Sequence, residues 1–204
     1  ALWKKEFDGI EDTGDRLALQ SVTDDLEELI EGAYSEQGLR WRLDCLNKSL
    51  GSLRRGDFGF VFARPETGKT TFLASEITSM LGNSEQPVVW FNNEEQGHKV
   101  MLRIYQAFFG VTLEQLLANP KQYKEEFIGR TSGNFHLFDS GVIHRRDVER
   151  IVARLEPALV IYDQIDKIKG FSNDREDLRL GGIYQWAREL AKGSHASIGV
   201  CQAD

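Results

Sequence analysis

The sequence predicts an α/β domain in which a mostly parallel sheet is covered by helices on both faces. Three observations predict it. Five short, mostly apolar runs, at 57–63, 87–92, 134–140, 157–163 and 196–202, have the length and composition of strands buried on both sides. Helical patterns separate them, the alternation that builds parallel sheets. The first run passes through "ARPETGKT" directly into a helical pattern, the strand–loop–helix context of a phosphate-binding loop.

Residues 1–20 are polar and aperiodic, and we expect them to be extended or disordered. "SVTDDLEELIEGAY" predicts a short helix, capped by Ser21 or Thr23, with acids in its first turn and with Leu26, Leu29 and Ile30 on one face. So short a helix does not persist alone, so its stripe should dock, either on its own body or on a neighbouring subunit. From Leu39 strands and helices alternate. The strand at 57–63 is followed by a helix over 68–81, ended by Gly82-Asn83. After the strand at 87–92 a helix is expected over 95–110, with Val100, Ile104, Ala107 and Phe108 on one side. Residues 112–129 read as two short helices broken before Pro120. The strand at 134–140, a helix over 144–156, the strand at 157–163, a long helix over 173–192 and the strand at 196–202 complete the order. The expected organisation is an acidic arm over 1–38 and one nucleotide-binding domain over 39–204. No internal repeat or low-complexity tract interrupts it.

Composition narrows the class. Hydrophobic residues make up 41% and charged residues 28% of 204, as in ordinary globular proteins. The longest apolar runs are too short to span a bilayer, and the N-terminus lacks the apolar core of a secretory signal. No initiator Met is present, so a fragment is expected. Cys45 and Cys201 have no metal-ligand spacing and read as unpaired thiols of a reducing cytoplasm. Residues 1–38 hold eleven acids against three bases, a net −8 of the chain's −7, which leaves +1 for the rest. That asymmetry suits an interaction segment and leaves nucleic-acid binding by the body open.

The chemistry sits at strand ends. Gly68 lets backbone N–H groups wrap a β-phosphate, and the N-terminus of the following helix adds partial positive charge there. Lys69 would bridge the β- and γ-phosphates, and the Thr70 hydroxyl would bind Mg²⁺. Ala63 stands at the loop's first small position, where a methyl fits if φ stays negative. "ALVIYD" puts Asp163 at the carboxyl end of a buried strand, where it can support Mg²⁺ through a water. "VVWFNNEEQ" places Glu94 or Glu95 past another strand end, expected beside the loop strand. Either could deprotonate an attacking water, or both could be helix N-terminal acids favoured by the dipole. Gln202 could contact a γ-phosphate or simply be solvated. The loop over 167–179, with Lys167, Lys169, Arg175 and Arg179, could face DNA or be a solvated mixed-charge loop; Phe171 is its one aromatic residue.

Read together, these motifs resemble the RecA-like motor of DnaB-type replicative helicases and phage primase-helicases. Asp44, Leu46, Leu50-Gly51, Leu53 and Gly56-Asp57 fit the family's approach to the loop. "ARPETGKT" is close to the family loop, in which an Ala-Arg-Pro start is common. "WFNNEE" resembles the strand that ends in the catalytic Glu, with Glu94 in that place, and Arg103 nine residues on fits a family Arg. "LVIYDQID" matches the Mg²⁺-supporting strand, and "VCQAD" resembles the segment carrying the Gln sensor, here Gln202. The resemblance covers about residues 38–204. It implies a RecA-like P-loop fold and a nucleotide site made of Ala63, Arg64, Pro65, Glu66, Thr67, Gly68, Lys69, Thr70, Thr71 and Arg103. Lys69, Glu94 and Gln202 would be catalytic, and Thr70 and Asp163 would bind the metal. It further implies ATP or another nucleoside triphosphate such as dTTP, with Mg²⁺ and single-stranded DNA. The expected assembly is a homo-oligomeric ring, a hexamer, with the arm docked on a neighbour, in a cytoplasmic setting that allows a primase or loader as a further partner. The family's arginine finger would lie past residue 204. Recombinases and KaiC-like regulatory rings share the superfamily, and a nucleotide-binding module without hydrolysis is the non-enzymatic competitor.

Overall fold

The computed structural model describes residues 25–34, 38–172 and 175–202. The chain divides into two units, Ala1–Glu36 and Gln37–Asp204. In the first, α1 (Leu26–Tyr34) forms within the expected helix. Asp25 caps it: its Oδ1 accepts from the backbone N–H groups of Glu27, at 2.9 Å, and Glu28, at 3.3 Å. The expected caps Ser21 and Thr23, and the expected irregular segment 1–20, lie outside the described residues. Leu26, Leu29 and Ile30 are all exposed.

Among its described residues the second unit has a five-stranded sheet whose strand pairings are all parallel. Its strands are β1 (Phe58–Ala63), β2 (Val88–Asn92), β3 (Phe135–Asp139), β4 (Leu159–Asp163) and β5 (Ala196–Gln202), in the order β1-β5-β4-β2-β3. The sequence predicted all five strands within two residues of these limits. It did not predict their order. β2 was expected beside the loop strand; β5 and β4 lie between them, because the chain enters the sheet at one edge, crosses to the far side and fills the gap last.

The helices are α2 (Asp44–Leu50), α3 (Lys69–Leu81), α4 (Gly97–Phe109), α5 (Leu113–Ala118), α6 (Pro120–Thr131), α7 (Arg145–Leu155) and α8 (Glu176–Ala191), with a 3-10 turn at Ile165–Lys167. Pro120 opens α6 at a position where its missing N–H costs nothing, as expected. A Thr112–Gln115 capping box starts α5.

Side chains of one strand alternate between two cores. Val88 and Trp90, Leu159 and Ile161, and Ile198 and Val200 pack with α3 and α4 residues such as Leu73, Ile77, Val100 and Ile104. Val89 and Phe91, Val160 and Tyr162, and Cys201 pack with Val148, Val152, Ile183 and Ala187 of α7 and α8. Two largely apolar faces explain why these strands read as nearly continuous apolar runs.

The short helix α2 was not expected. It is anchored from outside: the Leu43 N–H donates to Glu76 Oε2 on α3 at 3.2 Å, and the Trp41 indole N–H donates to Gly51 O at 3.1 Å. Asn47 ties the same turn through Trp41 N–H and O. Among the described residues no helix is long and apolar enough to cross a membrane.

Candidate active site

In a parallel sheet all carboxyl strand ends fall on one edge, and here the registers align the polar residues. Ala63 lies opposite Gln202, and Asn92 lies opposite Asp163 on one side and Asp139 on the other.

β1 ends at Ala63, whose φ is not positive, so the methyl is accommodated as the sequence required. The loop then turns through two left-handed residues, Glu66 at φ 60° and Gly68 at φ 90°. The Thr67 hydroxyl donates to Arg64 O at 2.7 Å and closes the turn. α3 starts at Lys69, so its free N–H groups open into the loop. The Lys69 ammonium is folded onto the loop, donating to Ala63 O and Arg64 O, both at 3.0 Å.

The Thr70 hydroxyl donates to Asp163 Oδ2 at 3.1 Å. Asp163 is fully buried and its Oδ1 has no hydrogen-bond partner. Burial pushes its carboxyl up to about 6; the Thr70 bond and the Lys69 charge oppose this, and the charges of Glu94 and Glu95 add to it.

The two glutamates past β2 part company. Glu94 Oε1 accepts from the Gln202 side-chain amide at 3.1 Å. Glu95 is held by Arg103 in a two-pronged pair, one contact at 3.0 Å and a second between Nη1 and Oε2. Glu66, Gly68, Lys69, Thr70, Thr71, Glu94, Glu95 and Arg103 line one open cavity of about 450 Å³. Ala63, Arg64, Pro65 and Thr67 form the loop without lining the cavity. Asp163 stands behind Thr70, and Gln202 reaches Glu94. Glu94 thus approaches the loop although its strand is three places away.

A Mg²⁺ ion fits these residues. A buried carboxylate oxygen without a partner beside a hydroxyl is a donor set for a hard cation. Among the described residues no group of three or more His, Cys, Asp or Glu could hold a metal, so such an ion would draw most ligands from phosphate and water.

In the loop after β4, Arg175 is paired with Asp177, and Arg179 donates to Asp166 O and pairs with Glu176. Lys167 and Lys169 are exposed. Sequence reasoning missed Asn92 and Asp139, which bond each other at 3.1 Å. The signal was present: "FHLFD" ends an apolar strand in an acid, as "LVIYD" does.

A profile of the family described as AAA domain matches residues 15–201. The chain belongs to that family. This AAA domain is similar to part of several replicative helicases. It is 27% identical to replicative DNA helicase DnaB of Pasteurella multocida over 198 residues, 90% of this chain and 41% of that protein. It is 27% identical to the DnaB of Haemophilus influenzae over 186 residues, 82% of this chain and 39% of that one. The chain thus spans about two fifths of the length of these relatives. Among solved structures, a DnaB-like replicative helicase studied for its interactions with primase superposes with a TM-score of 0.70 at 18% identity, over 89% of this chain and 49% of that one. A second solved structure, an ATPase domain, superposes with a TM-score of 0.66 at 16% identity, over 88% of this chain and 72% of that one. The AAA domain therefore has the RecA-like P-loop fold of the DnaB-type helicase motors, and that architecture is one for binding and hydrolysing nucleoside triphosphates.

Proposed function

We propose that this domain is the motor of a replicative DNA helicase, hydrolysing ATP or dTTP to move along single-stranded DNA and separate the duplex. The observation that carries it is the meeting, in one cavity, of a phosphate loop with a glutamate whose carboxylate is in turn held by a strand-end glutamine. The similarity to DnaB proteins supports the helicase reading over recombinases or regulatory rings.

Each residue has its own part in the reaction. The loop N–H groups and the α3 N-terminus receive the β-phosphate. Lys69 leaves the Ala63 and Arg64 carbonyls and bridges the β- and γ-phosphates. Thr70 and Asp163 would hold Mg²⁺, which would supply charge neutralisation for the phosphates of the nucleotide. Glu94 accepts the proton of the water that attacks the γ-phosphorus; the bond to the β–γ bridging oxygen breaks, leaving nucleoside diphosphate and phosphate. The γ-phosphate competes with Glu94 for the Gln202 amide, which couples nucleotide state to the end of β5. Arg103 neutralises Glu95 and so leaves Glu94 as the free base.

The apolar stripe of Leu26, Leu29 and Ile30 would dock the arm, and the similarity to DnaB proteins supports a neighbouring subunit of a homo-oligomeric ring as its place, in a cytoplasmic setting. Purified full-length protein should hydrolyse nucleotide faster with single-stranded DNA present and displace a strand from a forked duplex. Hydrolysis that survives Lys69→Ala would overturn the site. Strand exchange without displacement would shift the reading to a recombinase.

A further inference from the structure

Three adjacent strands end in polar residues at one level, Asp163 on β4, Asn92 on β2 and Asp139 on β3. Asn92 and Asp139 are both engaged by the turn that carries Glu94. Asn92 is fully buried, and its Nδ2 donates to Asp139 Oδ1 and to the carbonyl of Glu95. Asp139 Oδ2 accepts from the Gly97 N–H, the first of α4, at 2.7 Å. Both oxygens of one carboxylate therefore grip the turn, one through the Asn92 amide and the other at its far end. On the opposite side the Asn93 N–H donates to Asp163 O at 3.2 Å. Residues 93–96 are thus pinned between β3 and β4.

The residue types follow from this geometry. A Cβ at Gly97 would lie 2.6–2.8 Å from the Asp139 carboxyl group, so the close approach needs glycine. A carboxylate at Asp139 also suits the N-terminus of α4, whose dipole favours it. At position 92 an acid would stand between two acids, and an apolar residue would leave Asp139 Oδ1 and the Glu95 carbonyl without their donor. Asp139 and Asn92 are absent from the lining of the nucleotide cavity.

We propose that Asp139 and Asn92 form a clamp that positions Glu94, fixing the height of its backbone above the phosphate loop while Gln202 holds only the tip of its side chain. The proposal rests on the reading of Glu94 as the base in nucleotide hydrolysis. A base displaced by about 1 Å loses on the order of a hundredfold in rate. The clamp should therefore act on turnover and leave nucleotide binding, which belongs to the loop, unchanged.

The test measures hydrolysis and nucleotide affinity of the full-length protein carrying Asp139→Asn, Gly97→Ala or Lys69→Ala, with Asp139→Asn also made on Glu94→Gln. Asp139→Asn keeps shape and removes one acceptor; Gly97→Ala reaches the same contact from the other side should the first variant fold poorly. Both should lower kcat about tenfold to a hundredfold with affinity changed less than about threefold. On Glu94→Gln, Asp139→Asn should cost less than about twofold more, because the clamp acts through Glu94. A kcat near that of the unaltered protein, a parallel loss of affinity, or an equal loss on Glu94→Gln would overturn the clamp. Activity that survives Lys69→Ala would instead overturn the site reading itself and the clamp with it.

Discussion

At Asp163 burial opposes ionisation, with the charges of Glu94 and Glu95 adding to it, and the consequence is a measurable dependence on pH. Its folded-state value of about 6 exceeds the ordinary carboxyl value near 3.9. Between those values the folded protein binds more protons than the unfolded chain, so this residue's contribution to stability is whole below about pH 4 and is lost as pH rises through 6. The cost at neutral pH is on the order of 1–3 kcal/mol. Asp163→Asn should therefore stabilise the nucleotide-free protein by that order at pH 7.5 and not at pH 4, read from denaturant melts, while abolishing the added stability from Mg²⁺ with nucleotide. The phosphate loop gives a second contrast. Gly68 has φ 90° and open space around its missing Cβ, so Gly68→Ala should cost about 1–2 kcal/mol through the backbone alone. Glu66, at φ 60°, already bears such strain. Glu66→Gly should shift stability by less than about 1 kcal/mol, relief of strain offsetting the greater freedom of the unfolded chain. Thermal unfolding of the two variants checks both.

Among elements, α2 shows what a local pattern lacks. Its seven residues have no side-chain cap and no fully buried side chain, so neither periodicity nor a start signal marked it. It exists because Glu76, buried on α3, accepts the Leu43 N–H. Glu76→Ala should cost about 1–3 kcal/mol by leaving that N–H without a partner, and hydrogen exchange should quicken at 41–51 before it does in the sheet. The five strands were legible because both their faces are largely apolar, and Pro120 was legible as a helix start because proline has few other places there. Asp163 was found because a phosphate loop upstream made an acid-ended strand meaningful. Asp139 ends its strand in the same way and was passed over, since its partners are an amide on the next strand and a backbone N–H, neither of which a spacing reveals.

For the molecule as a whole, the order of strands was the part that sequence could not supply. Each parallel strand offers the same apolar pattern to any neighbour, so adjacency is decided by crossovers and packing. The correction moves Glu94 from the strand beside the loop to one three places away, and it is the turn after β2, with Gln202 at the end of β5, that brings it back. At this scale the arm matters too. If Leu29 and Ile30 dock on a neighbour, Leu29→Glu with Ile30→Glu should convert the assembly to monomers, seen in a mass measurement with nucleotide present, while monomer affinity for nucleotide is unchanged.

The most direct measurement is steady-state hydrolysis by the full-length protein carrying Glu94→Gln, with nucleotide binding followed in parallel. We expect turnover to fall by at least about a hundredfold while nucleotide is still bound. Turnover within a few fold of the unaltered protein would contradict the account, because the cavity would then hold a nucleotide without using the glutamate that faces it.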